Sequence, residues 1–312
     1  MANPTPDQDV EATDVPISWE VEISLEQRAN FTELLHQLAT HINPGNSLKE
    51  VCIIADNVLA LKIQSLTGKP YRSGPHYPEG VTVVVEKGNT FSNIILIRQA
   101  FFTSDETGIL EQISILLEEL YHCWLYHQTW QRRGSINLRS ADLYTNELFR
   151  ICGQIHDEYA VARLKNIFLG GHLTLRDEQG QSIPLFIEYG SSLSALFDQI
   201  PHQLRTRDIL QIAPLIRKSA MLPIVYRFIF EPLARHAGFL TPIPPDYPLQ
   251  WSDNSPEENV FYREMIAPYW VQIKSSLEVS FDSQFNETEK ALDAICKTVD
   301  ACLDRLRQEY KI

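Results

Sequence analysis

What most constrains the fold of this chain is the order of its hydrophobic patterns: short β-rich runs come first and long helical periodicities follow. Val51 to Ala55, Val81 to Val85 and Asn93 to Phe102 are rich in β-branched and aliphatic residues, which suit a pleated, half-buried surface. The segment from about Glu106 to Gln131 then sets Ile109, Ile113, Leu116, Leu120 and Trp124 at three- and four-residue steps, on one face of a helix. A second long helix is expected from about Ser140 to Phe168, stopping at Gly170-Gly171. The expected fold class is α+β, a small β-sheet with packed helices followed by a mainly α-helical region.

Local signals fill in the rest. Ser24 is placed to cap a helix carrying Phe31, Leu34, Leu35 and Leu38, which ends before Asn43-Pro44-Gly45. Leu59 to Leu66 reads as a helix between the first two strands, and Lys87-Gly88-Asn89 as the turn between the second and third. Beyond Gly171, Leu173 to Tyr189 resembles a hairpin around Gln179-Gly180, and a proline-rich stretch from Pro242 to Pro256 interrupts what otherwise reads as helices. The last helix, about Glu287 to Tyr310, aligns Leu292, Ile295, Val299, Cys302 and Leu306, a stripe that can dock on the body or on another subunit to make an oligomer. Residues 1–18, acidic, proline-bearing and nearly without large apolar side chains, are expected to be a flexible leader. The strands and two long helices would then form a domain over 19–170, and 171–312 a mainly helical C-terminal region.

Composition excludes several classes of function. Forty acidic residues against 27 basic ones give a formal charge of −13, the wrong sign for tracking a phosphate backbone, so no nucleic-acid partner is expected. No run approaches the ~18 uninterrupted apolar residues of a membrane span, and no membrane partner is expected. The N-terminus has neither the basic start nor the apolar core of a secretory signal, which points to the cytoplasm. Five scattered cysteines without a C-x-x-C pair read as free thiols.

The chemistry concentrates on the two long helices. In Leu117-Glu118-Glu119-Leu120-Tyr121-His122, Glu118 and His122 are one turn apart and share a face, so both can reach one ion, while the adjacent Glu119 can hold a water against it. A third ligand is offered by His156-Asp157-Glu158 on the second helix. Glu158 falls with Leu148, Ile151, Ile155 and Ala162 on the stripe that must face inward, Asp157 falls on a polar stripe with Asn146, Arg150 and Gln154, and His156 lies about 200° from Glu158. A carboxylate among aliphatic side chains must be paired or metal-bound, so Glu158 is the stronger candidate. A carboxylate-bridged di-iron reading would use the two Glu-x-x-His pairs, Glu33 to His36 and Glu119 to His122, with Glu147 and Glu158, but the β-runs between the pairs do not suit a helical bundle.

Glu118-Glu119-Leu-Tyr-His122 resembles the HExxH motif of zincin metallopeptidases with its first His replaced by Glu. The preceding strands, and a second helix carrying Glu158-Tyr-Ala-Val-Ala162, resemble the gluzincin arrangement, in particular the compact intracellular group typified by the ImmA and IrrE regulatory proteases. The resemblance covers about residues 24–168. It implies metal ligands at Glu118, His122 and Glu158, a general base at Glu119, a protein or peptide substrate, and a strand edge beside the Glu118 helix that pairs with it. One imidazole and two carboxylates make a harder, more anionic site than two His and one Glu, so Mn²⁺ or Fe²⁺ competes better with Zn²⁺ as the divalent metal. The contrasting expectation is a non-catalytic interaction protein that kept the scaffold after losing the first His.

Overall fold

The computed structural model describes residues 15–71, 78–87, 90–102, 106–134, 142–176, 182–186, 193–205, 214–243 and 256–311. It is α+β, a small mixed sheet followed by a mainly helical region, and its chain divides into two compact units, residues 1–127 and 128–312.

The first unit is built on four strands, β1 (Ile17–Trp19), β2 (Leu48–Ile54), β3 (Gly80–Lys87) and β4 (Thr90–Arg98), in the order β1-β2-β4-β3. β1 and β4 run parallel to β2 while β3 and β4 are antiparallel, with Val51 opposite Ile95 and Val83 opposite Ile94. Strand alternation sorts the side chains onto two faces. Cys52, Ile54, Val83, Val85 and Leu96 face helix α2 (Leu59–Thr67), whose Leu59 and Ile63 complete that cluster. The opposite face, with Gly80, Thr82 and Asn93, lies against α3 (Glu106–Gly134): Asn93 Nδ2 donates to the Cys123 carbonyl at 3.4 Å. Helix α1 (Leu25–Ile42) is capped by Ser24, whose hydroxyl accepts from the Gln27 N–H, and ends at a left-handed Asn43. Its Phe31 stands edge-on to Trp19 and Phe101.

The strand Ile17–Trp19 lies partly within the segment read as a leader over 1–18; its three residues are too few for alternation to announce them, and they are held by parallel pairing to β2. Residues 1–14 lie outside the described residues, as does the tip of the β3–β4 turn.

The second unit is organised around α4 (Leu143–His172), capped by the Asp142 carboxylate. After the short pair β5 (Thr174–Arg176) and β6 (Ser182–Pro184) come α5 (Leu193–Leu204), α6 (Pro214–Val225), α7 (Glu231–Leu240), α8 (Ala267–Asp282) and α9 (Thr288–Tyr310). A π-helical turn, Tyr226–Phe230, joins α6 to α7, closed by a hydrogen bond from the Glu231 N–H to the Tyr226 carbonyl. A second, Tyr262–Ile266, leads into α8. Tyr159 and Ile155 of α4 share one core with Leu222, Ile229, Leu233, Ile273, Ile295 and Val299.

Contacts divide the chain after His127, within α3, and α4 packs on α6, α7, α8 and α9 in the second unit. One expectation is corrected here. The Gly170-Gly171 pair does not stop α4, which runs through it to His172; a Cβ on Gly170 would lie 2.4 Å from the Phe186 ring, so the glycine serves packing. The stripe on α9 docks on the body of its own unit, one of the two uses expected for it, with Leu292, Ile295, Val299, Cys302 and Leu306 all buried. Between α8 and α9, Gln284 and Phe285 adopt positive φ of 53° and 64°, and the Phe285 N–H returns to the Ser280 carbonyl at 2.8 Å. All five cysteines are free and buried, and among the described residues no helix is long and apolar enough to cross a membrane.

Candidate metal centre

Glu118, His122 and Glu158 each offer one ligand atom, and these atoms lie within 4.8 Å of one another. The first two are presented by one turn of α3, the third by α4. A divalent ion with bonds of ~2.0–2.2 Å holds its ligand atoms roughly 3–4 Å apart, a spacing that small carboxylate rotations reach from here. Two carboxylates and an imidazole are also the right donors for Zn²⁺, Mn²⁺ or Fe²⁺. The three side chains therefore form a cluster able to hold a metal ion. Among the described residues the cluster does not include Glu33, His36 or Glu147, as the di-iron reading requires; Glu147 instead pairs with Arg150 at 2.5 Å, which holds its carboxyl below the usual range.

Glu119 is placed differently from its neighbour. It is buried, and the Thr82 hydroxyl on β3 donates to its carboxylate at 2.7 Å. Gly80 makes this approach close: a Cβ there would meet Ile115 at 2.7 Å and Glu119 Cγ at 3.2 Å. Among the described residues β3 is an edge of its sheet, so the strand beside the Glu118 helix has no further strand paired along its outer side there, as expected. Cys123 follows Glu119 round the helix into the interior, where burial pushes its thiol up, so it is a core residue and no nucleophile.

On α4 the periodicity is only partly right. Glu158 points into the cluster with its side chain 15% exposed. Asp157, predicted on an outward polar face, is buried instead, because α4 is covered on several sides and has no outward face at that turn. Its carboxylate lies 3.2 Å from His156 Nδ1; His156 Nε2 is 2.9 Å from the Ser280 hydroxyl, itself 3.1 Å from that of Thr288. These groups satisfy one another inside the second unit, and His156 is thereby committed away from the metal cluster.

Two residues near Glu158 had no signal in the sequence. Arg235 of α7 brings its Nε to 2.7 Å from Glu158 Oε2, and lies 3.8 Å from Glu231 one turn earlier. Tyr226, at the start of the π-turn, sits by the same charges; burial first, then the Glu158 and Glu231 carboxylates, push its phenol well above the ordinary range, so it stays protonated. Both come from a helix some 70 residues downstream, which no local spacing links to Glu158.

Compared with protein-family models, curated proteins and solved structures, the chain matches none.

Proposed function

We propose that this protein is a zincin-like metallopeptidase of the cytoplasm, hydrolysing a peptide bond at a divalent ion held by Glu118, His122 and Glu158. The reading is carried by one observation: three side chains singled out by spacing and burial logic, the last 36 residues from His122, bring their ligand atoms within 4.8 Å of one another. A divalent ion supplies Lewis acidity and lowers the pKa of a water. The chain's own contribution is then to hold the ion with two carboxylates and one neutral imidazole, and to take a proton at the Glu119 carboxylate, the base position of the motif. An extended protein or peptide substrate is accommodated along the outer edge of β3, the terminal strand of the sheet among the described residues, through main-chain hydrogen bonds. Buried, unpaired thiols support the cytoplasmic setting.

A second reading is favoured by the Thr82–Glu119 hydrogen bond. A carboxylate already engaged by the sheet is a structural group, and the protein is then a non-catalytic interaction protein on a zincin-like scaffold. Metal analysis of protein purified without chelator or affinity-column metal separates the readings together with two variants. In a peptidase, about one divalent ion accompanies each chain. Glu119→Gln abolishes hydrolysis with metal content unchanged, because an amide cannot take the proton but is not needed to hold the ion. Glu118→His raises zinc occupancy by restoring a second imidazole. A chain that binds no metal, and gains none with Glu118→His, is not a metallopeptidase.

A further inference from the structure

We propose that Arg235 is a resident counter-cation of the metal cluster, competing with the divalent ion for Glu158 and so setting how tightly the ion is held. This inference rests on the metal-site reading above. It begins with the packing of α7 on α4. Gly238 passes so close to α4 that a Cβ there would stand 2.2 Å from the Tyr159 carbonyl oxygen. That contact fixes α7 one residue from Glu158, and Arg235, three residues before Gly238 and on the same side of α7, is delivered to the Glu158 carboxylate.

The pair itself is built for exchange. Arg235 Nε is a buried atom 2.7 Å from Glu158 Oε2, yet it lies outside hydrogen-bonding geometry, so the attraction is Coulombic and not a well-aligned fork. Glu231, 3.8 Å from the same guanidinium nitrogen, gives the arginine a second carboxylate to lean on when Glu158 turns to an ion. Without an ion, the guanidinium holds the Glu158 carboxylate in place, which preorganises the ligand. With an ion, the same positive charge stands beside the metal and weakens its binding. The second effect wins, because Arg235 is like-charged with the ion at close range in a half-buried setting, whereas the orientation of Glu158 is also fixed by its helix. The site is thus tuned to release its metal and to answer to the free metal concentration.

The test is calorimetric titration of the full chain with Mn²⁺ and with Zn²⁺, comparing wild type, Arg235→Met, Arg235→Lys and Glu118→His, with thermal melts confirming that each folds. The inference expects Arg235→Met to bind Mn²⁺ at least about tenfold more tightly than wild type and Arg235→Lys to stay within about threefold. Arg235→Gln, closer to arginine in length and polarity, replaces the Met variant should that one not fold, with tightening again expected. Unchanged or weaker binding by the variant that removes the charge overturns the inference while leaving the metal site standing, since Arg235 would then only position Glu158. Binding by none of the proteins, Glu118→His included, overturns the metal-site reading and the inference with it.

Discussion

Replacing Gly238 by alanine tests the packing that presents Arg235 to Glu158. The added methyl would stand 2.2 Å from the Tyr159 carbonyl oxygen, 3.0 Å from its carbon and 3.2 Å from Ala162 Cβ. A carbon and an oxygen tolerate roughly 3.2–3.5 Å, so α7 must withdraw from α4 by about 1 Å, and backbone on both sides leaves no flexible side chain to yield. Overpacking of this kind costs about 1–3 kcal/mol, and the better helix propensity of alanine returns about 0.8–1 kcal/mol. Because the clash is with a carbonyl the steric term dominates, and a net loss of about 1–2 kcal/mol is expected. For a unit of this size that lowers the melting temperature by roughly 2–8 °C. Urea unfolding followed by circular dichroism reads the loss directly, and metal titration reads the withdrawal of Arg235 from Glu158 as tighter binding. Should Gly238→Ala be as stable as wild type or more so, α7 has slack against α4, and close approach at Gly238 cannot be what sets the position of Arg235.

Other consequences concern the interior. Ser280→Ala removes the hydroxyl shared by His156 and Thr288 and is expected to cost about 1–3 kcal/mol in denaturant unfolding, with little change in metal binding; an unchanged midpoint would show that the buried network contributes nothing. The thiols give the chain a pH dependence of definite sign. Burial pushes Cys52 up to about 11 and Cys302 up to about 12, while in the unfolded chain thiols lose their protons near about pH 8.5. Between these values the unfolded state binds fewer protons, so stability is full below about pH 8 and falls as pH rises toward 11, by about 2 kcal/mol per thiol at pH 10. Unfolding midpoints at pH 8 and pH 10 check this, and rapid labelling of the native thiols by iodoacetamide at pH 8 would contradict the burial on which it depends.

The sequence and the structure agree where a local rule suffices. Ser24 and Asn43 bound α1 because a capping hydroxyl and a left-handed asparagine act within one turn, and α3 is legible because one of its faces stays apolar from Ile109 to Trp124. Glu118 and His122 were found by the same kind of rule. Legibility fails where the deciding partner is distant. Asp157 looks outward on a helical wheel only until α4 is surrounded, and Gly170 looks like a helix stop until Phe186 packs on it. The pairing of Glu158 with Arg235 spans 77 positions, and its determinants, a glycine at 238 and a π-turn at Tyr226–Phe230, have no pattern of their own in one sequence.

That π-turn makes the site depend on counting. A turn closed from Glu231 back to Tyr226 holds one residue more than an α-turn, so every side chain of α7 stands about 100° away from where an uninterrupted continuation of α6 would put it. The address of Arg235 is therefore stored as length and not as residue type. A shortening of this helix by one position could leave every charge in place and the helix content nearly the same, yet aim the arginine at the wrong neighbour. Changes of spelling in this stretch are cheap by comparison with a change in the number of letters.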